Sequence, residues 1–158
     1  MPNKNSFQKQ VTLLLDLYNI SYHDVTIEPE SYAYLAATFS HKNNIYIFRK
    51  AKKTPTKQGF FVTLWKRSTK GSIIPYDRTD NFDHVIIFVT EENKSGFFLF
   101  DKKILIKHNI ISHTDVEGKR AIRIYPNWCL PTNKQALTTQ KWQLPYFFDT
   151  TKNKNFLS

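Results

Sequence analysis

The chain has 158 residues, a single-domain length, and its 41% hydrophobic and 15% aromatic content predicts a packed core and excludes wholesale disorder. Lysine and arginine number 23 against 13 acids, a formal net charge of +10 that favours an anionic partner. Cys129 is the one cysteine, so no disulfide or disulfide-linked partner is expected, and the apolar run 11–15 is too short, ending at Asp16, for a membrane span or secretory core. The expected compartment is the cytoplasm.

Residues 5–20 predict an amphipathic helix, with Phe7, Val11, Leu14, Leu15 and Tyr18 on one stripe and Asn5 or Ser6 as its cap. An acidic turn is expected from Asp24 to Glu30. Two strands, Ala33 to Phe39 and Ile45 to Phe48, flank His41-Lys42-Asn43-Asn44, which has hairpin chemistry. A basic loop, residues 50–59, leads to a third strand from Phe60 to Lys66. Val62, Leu64 and Lys66 should share one face of it, and Phe61, Thr63 and Trp65 the other.

Asp77, Asp80 and Asp83 precede a fourth strand, His84 to Val89, whose unbroken apolar run predicts burial on both faces. Glu91 to Ser95 reads as a turn and Gly96 to Phe100 as a fifth strand. Asp101 should cap a short helix through Lys107 that stops near Asn109. Arg120 to Tyr125 reads as a sixth strand, with Arg123 outward. Thr132 and Gln135 have capping-box spacing for a helix to about Lys141, and the aromatic segment Trp142 to Phe148 should pack on the sheet. The sum is an α+β, α/β-like domain over 1–149, a central mixed β-sheet flanked by helices, with a frayed tail over 150–158.

Charge is unevenly placed. Residues 31–76 hold nine cations and no acid. A second acid-free stretch, 118–148, holds Lys119, Arg120, Arg123, Lys134 and Lys141. Such blocks build one positive field. The loop lysines supply point charges, Thr54 and Thr56 supply hydroxyls, and Pro55 restricts the backbone between them. The expected phosphate-contacting set is Arg49, Lys50, Lys52, Lys53, Thr54, Thr56, Lys57, Lys66, Arg67, Lys119, Arg120 and Arg123. Most of the tryptophans and tyrosines among the basic segments are expected in the core, with one or two at a sheet edge able to stack bases.

Enzymatic motifs are missing. The chain has no GxxxxGK[ST] or GxGxxG loop, no GxSxG elbow, and no CxxC or HExxH spacing around its five histidines. No metal, cofactor or catalytic residue is assigned. The three aspartates could hold magnesium, but capping of backbone donors is the favoured reading for them.

Three segments, residues 51–67 (AKKTPTKQGFFVTLWKR), 118–128 (GKRAIRIYPNW) and 140–147 (QKWQLPYF), resemble the MepB family of small bacterial proteins in order and spacing. That resemblance implies a gene context beside a multidrug efflux pump and its repressor, without implying transport. A looser resemblance is to the restriction-endonuclease-like fold, where acids on the second and third strands hold magnesium and an acid-x-Lys pair marks the third. Lys66 would match the lysine, but Leu64 stands at the acid position and Arg49 lies on the second strand. This implies a nuclease scaffold without its metal site.

The expected function is therefore non-catalytic binding of DNA or RNA with little sequence preference. Two alternatives stand beside it. One is a divergent magnesium-dependent nuclease using Glu30 and either Asp77 or Asp80, with Lys66. The other is a basic module for an acidic protein partner in drug-response regulation.

Overall fold

The computed structural model describes residues 3–151. Its centre is a six-stranded sheet in the order β1-β2-β3-β8-β9-β11, antiparallel except where β3 runs parallel to β8. The strands are β1 His23–Ile27, β2 Ala37–His41, β3 Asn44–Lys50, β8 His84–Glu91, β9 Lys94–Asp101 and β11 Phe147–Asp149. The crossover from β3 to β8 builds a second layer. In it, β4 Lys52–Lys53 and β5 Phe60–Thr63 join β10 Ala121–Ile124 in a three-stranded sheet, while β6 Trp65–Arg67 pairs with β7 Ile73–Pro75.

Strand β8 is buried on both faces, as its apolar run predicts. Val85, Ile87 and Val89 enter the core between the two sheets, and Ile86 and Phe88 enter the core under the N-terminal helix. That helix, α1 Lys4–Leu17, buries Val11 and Leu15 against the second core. Asn3 caps it by accepting from the Asn5 amide at 2.9 Å, so the cap lies earlier than the sequence suggested. On the other side, α2 Lys102–Lys107 is capped by Asp101 as expected, and α3 Lys134–Gln143 is capped by Asn133 rather than Thr132.

The two-residue turn of the β2–β3 hairpin has positive φ at Lys42 (49°) and Asn43 (67°), which matches the twist of the flanking strands. Three expected boundaries move. Residues 32–34 form a short 3-10 turn, so β2 starts at Ala37. The acidic turn contains β1, an edge strand whose Ile27 is buried while Thr26 faces out. The third strand divides at Leu64, where the chain leaves β10 and turns to pair with β7. Leu64 is only 1% exposed, so it acts as the wedge between the two pairings.

The aromatic segment does pack on the sheet: Phe147 and Phe148 pair with Phe98 and Phe97 of β9. Thr150 and Thr151 are tied to Ser95 by hydrogen bonds, so the expected fraying does not extend to them, and residues 152–158 lie outside the described residues. No helix among the described residues is long and apolar enough to cross a membrane.

Candidate nucleic-acid interface

The basic loop and strand β10 meet on the outer face of the three-stranded sheet. Register places Lys52, Phe61 and Arg123 side by side across its three strands. Ile122 and Ile124 point the other way, into the core, so Arg123 is outward as the alternation predicts. Tyr34 extends the row: its ring lies 6.3 Å from Phe61, and the Lys52 ammonium sits 5.4 Å above it.

Arg123 is held by neutral acceptors. Its Nη1 donates to Thr54 Oγ1 at 3.0 Å and to the Gln58 carbonyl at 3.2 Å, which pins the loop to the strand. Among the described residues these are its hydrogen-bond partners, so Nε and Nη2 keep their donors for a ligand. Those two nitrogens form the side-on fork that matches a phosphate or carboxylate bidentately.

The strand beneath Arg123 is held equally firmly. Gln143 is 1% exposed; its amide donates to the Arg123 carbonyl at 2.9 Å, and its oxygen accepts from the Tyr125 amide at 2.9 Å. One side chain therefore satisfies both the Arg123 carbonyl and the Tyr125 amide at the edge beside α3. Gln140 lies one helical turn earlier on the same face and bonds the Pro126 and Cys129 carbonyls. Gly59 closes the loop with φ of 87°, where an added Cβ would meet the Tyr125 ring at 2.7 Å. No other residue passes there without strain.

Between this edge and α3 lies a groove of about 630 Å3. Lys57, Lys119 and Arg123 line it, and no aspartate or glutamate does.

The remaining expected contacts divide sharply. Thr54 and Thr56 lie in the loop, Lys52 and Lys57 are exposed, and Lys50 is half-buried at the end of β3. Lys53 pairs with Glu91, Lys66 with Asp80 at 2.5 Å, Arg67 with Glu30 at 2.7 Å, and Arg120 with Glu117 at 2.9 Å. Every nitrogen of Arg67 has a partner: Nε and Nη2 hold Glu30, and Nη1 donates to the Gly71 carbonyl. Arg120 likewise spends its fork on Glu117 and the Ile73 carbonyl. Arg49 is corrected outright as a surface contact. It is 1% exposed and bonds the Phe48 and Thr63 carbonyls, so its guanidinium is a core group between the two sheets.

The acids that neutralise the block come from outside it. The Arg67 hydrogen bonds hold the Glu30 carboxyl below its ordinary value. The three aspartates cap backbone donors: Asp77 accepts from the Thr79 amide, Asp80 from the Asp77 amide, and Asp83 from the Ile45 amide. Hydrogen bonds from Thr79 hold Asp77 below its usual range as well. Burial pushes the Cys129 thiol up, against the activation a nucleophile requires.

Residues 28–149 match the sequence model of the MepB-like family. The chain belongs to the MepB-like family. This MepB-like chain is 40% identical to MepB in a crystal structure that superposes with a TM-score of 0.81, covering 90% of this chain and 97% of that one. A bacterial homing endonuclease superposes with a TM-score of 0.45 at 13% identity, covering 88% of each chain. No curated protein matches the MepB-like chain. Gln143 and Gln58 are the site residues that the sequence reading missed. The signal for Gln143 was present: a glutamine three residues after Gln140 on the inward face of a helix is a buried polar group in need of partners.

Proposed function

We propose that the chain is a non-catalytic nucleic-acid-binding protein that contacts phosphates with little regard to sequence. The observation that carries this reading is the unpaired side-on fork of Arg123, held by neutral acceptors above a groove without carboxylates. Phosphate contacts of this kind position a nucleic acid and carry no base information. The row Lys52–Phe61–Arg123 adds an aromatic surface between two cations.

The nuclease alternative has less support. Glu30, Asp77 and Asp80 are each engaged by a cation or a backbone donor, and Leu64 is a core residue. The test is fluorescence anisotropy of labelled DNA and RNA over a salt series. Affinity should fall with salt, and neutralising Lys57, Lys119 and Arg123 together should flatten the dependence by about 0.9 per lost phosphate contact on duplex DNA. Absence of binding at low salt would sink the reading. Capture of an acidic protein that survives nuclease treatment would move it to the interaction module.

A further inference from the structure

We infer that the groove between β10 and α3 is a pocket for a nucleoside monophosphate, a free ligand smaller than any nucleic acid. This rests on the reading of Arg123 as a phosphate-binding residue. Its volume of about 630 Å3 lies inside the roughly 300–1,000 Å3 of small-molecule sites.

The lining has three kinds of group, and each asks for one part of the ligand. Lys57, Lys119 and Arg123 set a positive rim without any carboxylate, which selects an anion. Arg123 offers a planar two-nitrogen fork, which fits a terminal phosphate better than a single carboxylate oxygen. The partly exposed Trp142 lines the groove above the buried Ile110 and Ile122, an apolar contact that a fully hydrated inorganic anion cannot use. Trp142 is fixed in place by His108, stacked on it at 4.1 Å and 8°. His108 covers one face of the indole and Phe100 packs against it at 5.5 Å, so the rest of the ring is what a nucleobase would meet.

Thr132 and Thr139 supply the third kind of group, hydroxyls that both donate and accept. Sugar hydroxyls and base edges use both roles, whereas an ionised aromatic acid uses donors alone. The rigidity of the site is also appropriate: Gln143 holds the β10 backbone under Arg123, and the Thr54 and Gln58 bonds fix the guanidinium itself. A ligand therefore meets a preorganised fork and loses little side-chain entropy of the protein on binding.

Calorimetric titration of the purified chain tests this with three probes: adenosine monophosphate, adenosine and inorganic phosphate. The monophosphate should bind about tenfold or more tightly than either part, because base contact and phosphate contact act together. Thr139→Trp, which fills the groove from an exposed helix, should abolish that binding while leaving labelled oligonucleotide binding in place. Lys119→Glu, on an exposed side chain, should weaken the monophosphate and leave adenosine unchanged. Phosphate binding as tightly as the monophosphate would overturn the inference, as would monophosphate binding that Thr139→Trp leaves intact. Oligonucleotide binding without any monophosphate binding overturns it and spares the nucleic-acid reading. Monophosphate binding without oligonucleotide binding upholds it and removes that reading.

Discussion

Two arginines on neighbouring small sheets have opposite fates. Arg67 lies in the acid-free block 31–76, yet Glu30 occupies its fork and the Gly71 carbonyl its remaining nitrogen. Arg123 lies outside that block, yet among the described residues no carboxylate reaches it and two of its nitrogens have no partner. The difference teaches that charge counted along a chain is not charge displayed on a surface. Folding brings Glu30, Asp80 and Glu91 onto three cations of the block, and burial removes Arg49 as a fourth. Among the described residues, fewer cations of the block are therefore left without a carboxylate partner, and one of them, Lys57, joins Lys119 and Arg123 at the groove beside β10.

The sharpest way to break the comparison is to remove each arginine in turn. Arg123→Ala should weaken nucleic-acid binding by about tenfold to a hundredfold, the cost of hydrogen bonds to a charged group. Arg67→Ala should leave the same affinity within about twofold, since its side-on fork is already held by Glu30. Anisotropy at fixed low salt measures both, and equal effects would erase the distinction between the two corners.

A smaller change should follow from loosening the strand under Arg123. Gln143→Leu leaves the Arg123 carbonyl and the Tyr125 amide without partners, so denaturant unfolding should show a loss of about 1–3 kcal/mol. Gly59→Ala should cost about 1–2 kcal/mol from the left-handed backbone alone, with the Tyr125 contact adding to it. An unchanged midpoint in either variant would mean that the loop and edge are slacker than their hydrogen bonds imply.

The opposite manipulation sharpens the contrast. Glu30→Gln releases the Arg67 fork and should make it a second phosphate ligand, steepening the salt dependence on duplex DNA by about 0.9. The smallest effect concerns pH. Arg67 holds the Glu30 carboxyl below its ordinary 4.5. Its stabilising contribution is therefore present above pH 4.5 and is lost as the pH falls from there through the lowered value. Thermal unfolding followed below pH 4.5 should show a shallower decline for Glu30→Gln than for the parent chain.

Much of the fold was legible in the sequence because its signals are local. The apolar run of β8, the capping aspartate before α2 and the stripe of α1 each declare their element within a few residues. Strand β1 was not legible: five residues around Val25 and Ile27 lie among polar neighbours, and only pairing with β2 makes them a strand. The division at Leu64 was hidden for the same reason, because the pattern of alternation continues across a change of partner.

The site was less legible than the fold. The sequence placed Arg123 outward and the loop beside phosphate chemistry, and the structure joins them through Thr54. It could not say which cations would be neutralised, because Glu30 reaches Arg67 across 37 positions and Glu91 reaches Lys53 across 38. Ion pairs of that span depend on the tertiary arrangement and leave no trace in spacing.

Gln143 has a consequence for how the molecule avoids its own kind. A primary amide carries the same donor and acceptor as a peptide unit, so it can stand in for a neighbouring strand without belonging to one. Sheets left with an open margin recruit further strands, from copies of themselves or from other chains. Here the margin at Arg123 and Tyr125 is answered by a side chain, which offers nothing further along to pair with. At those two groups the edge of the three-stranded sheet is closed by a side chain of the helix that packs beside it. Its last strand can lie beside a groove that stays open to small ligands while giving other strands no template at those two residues.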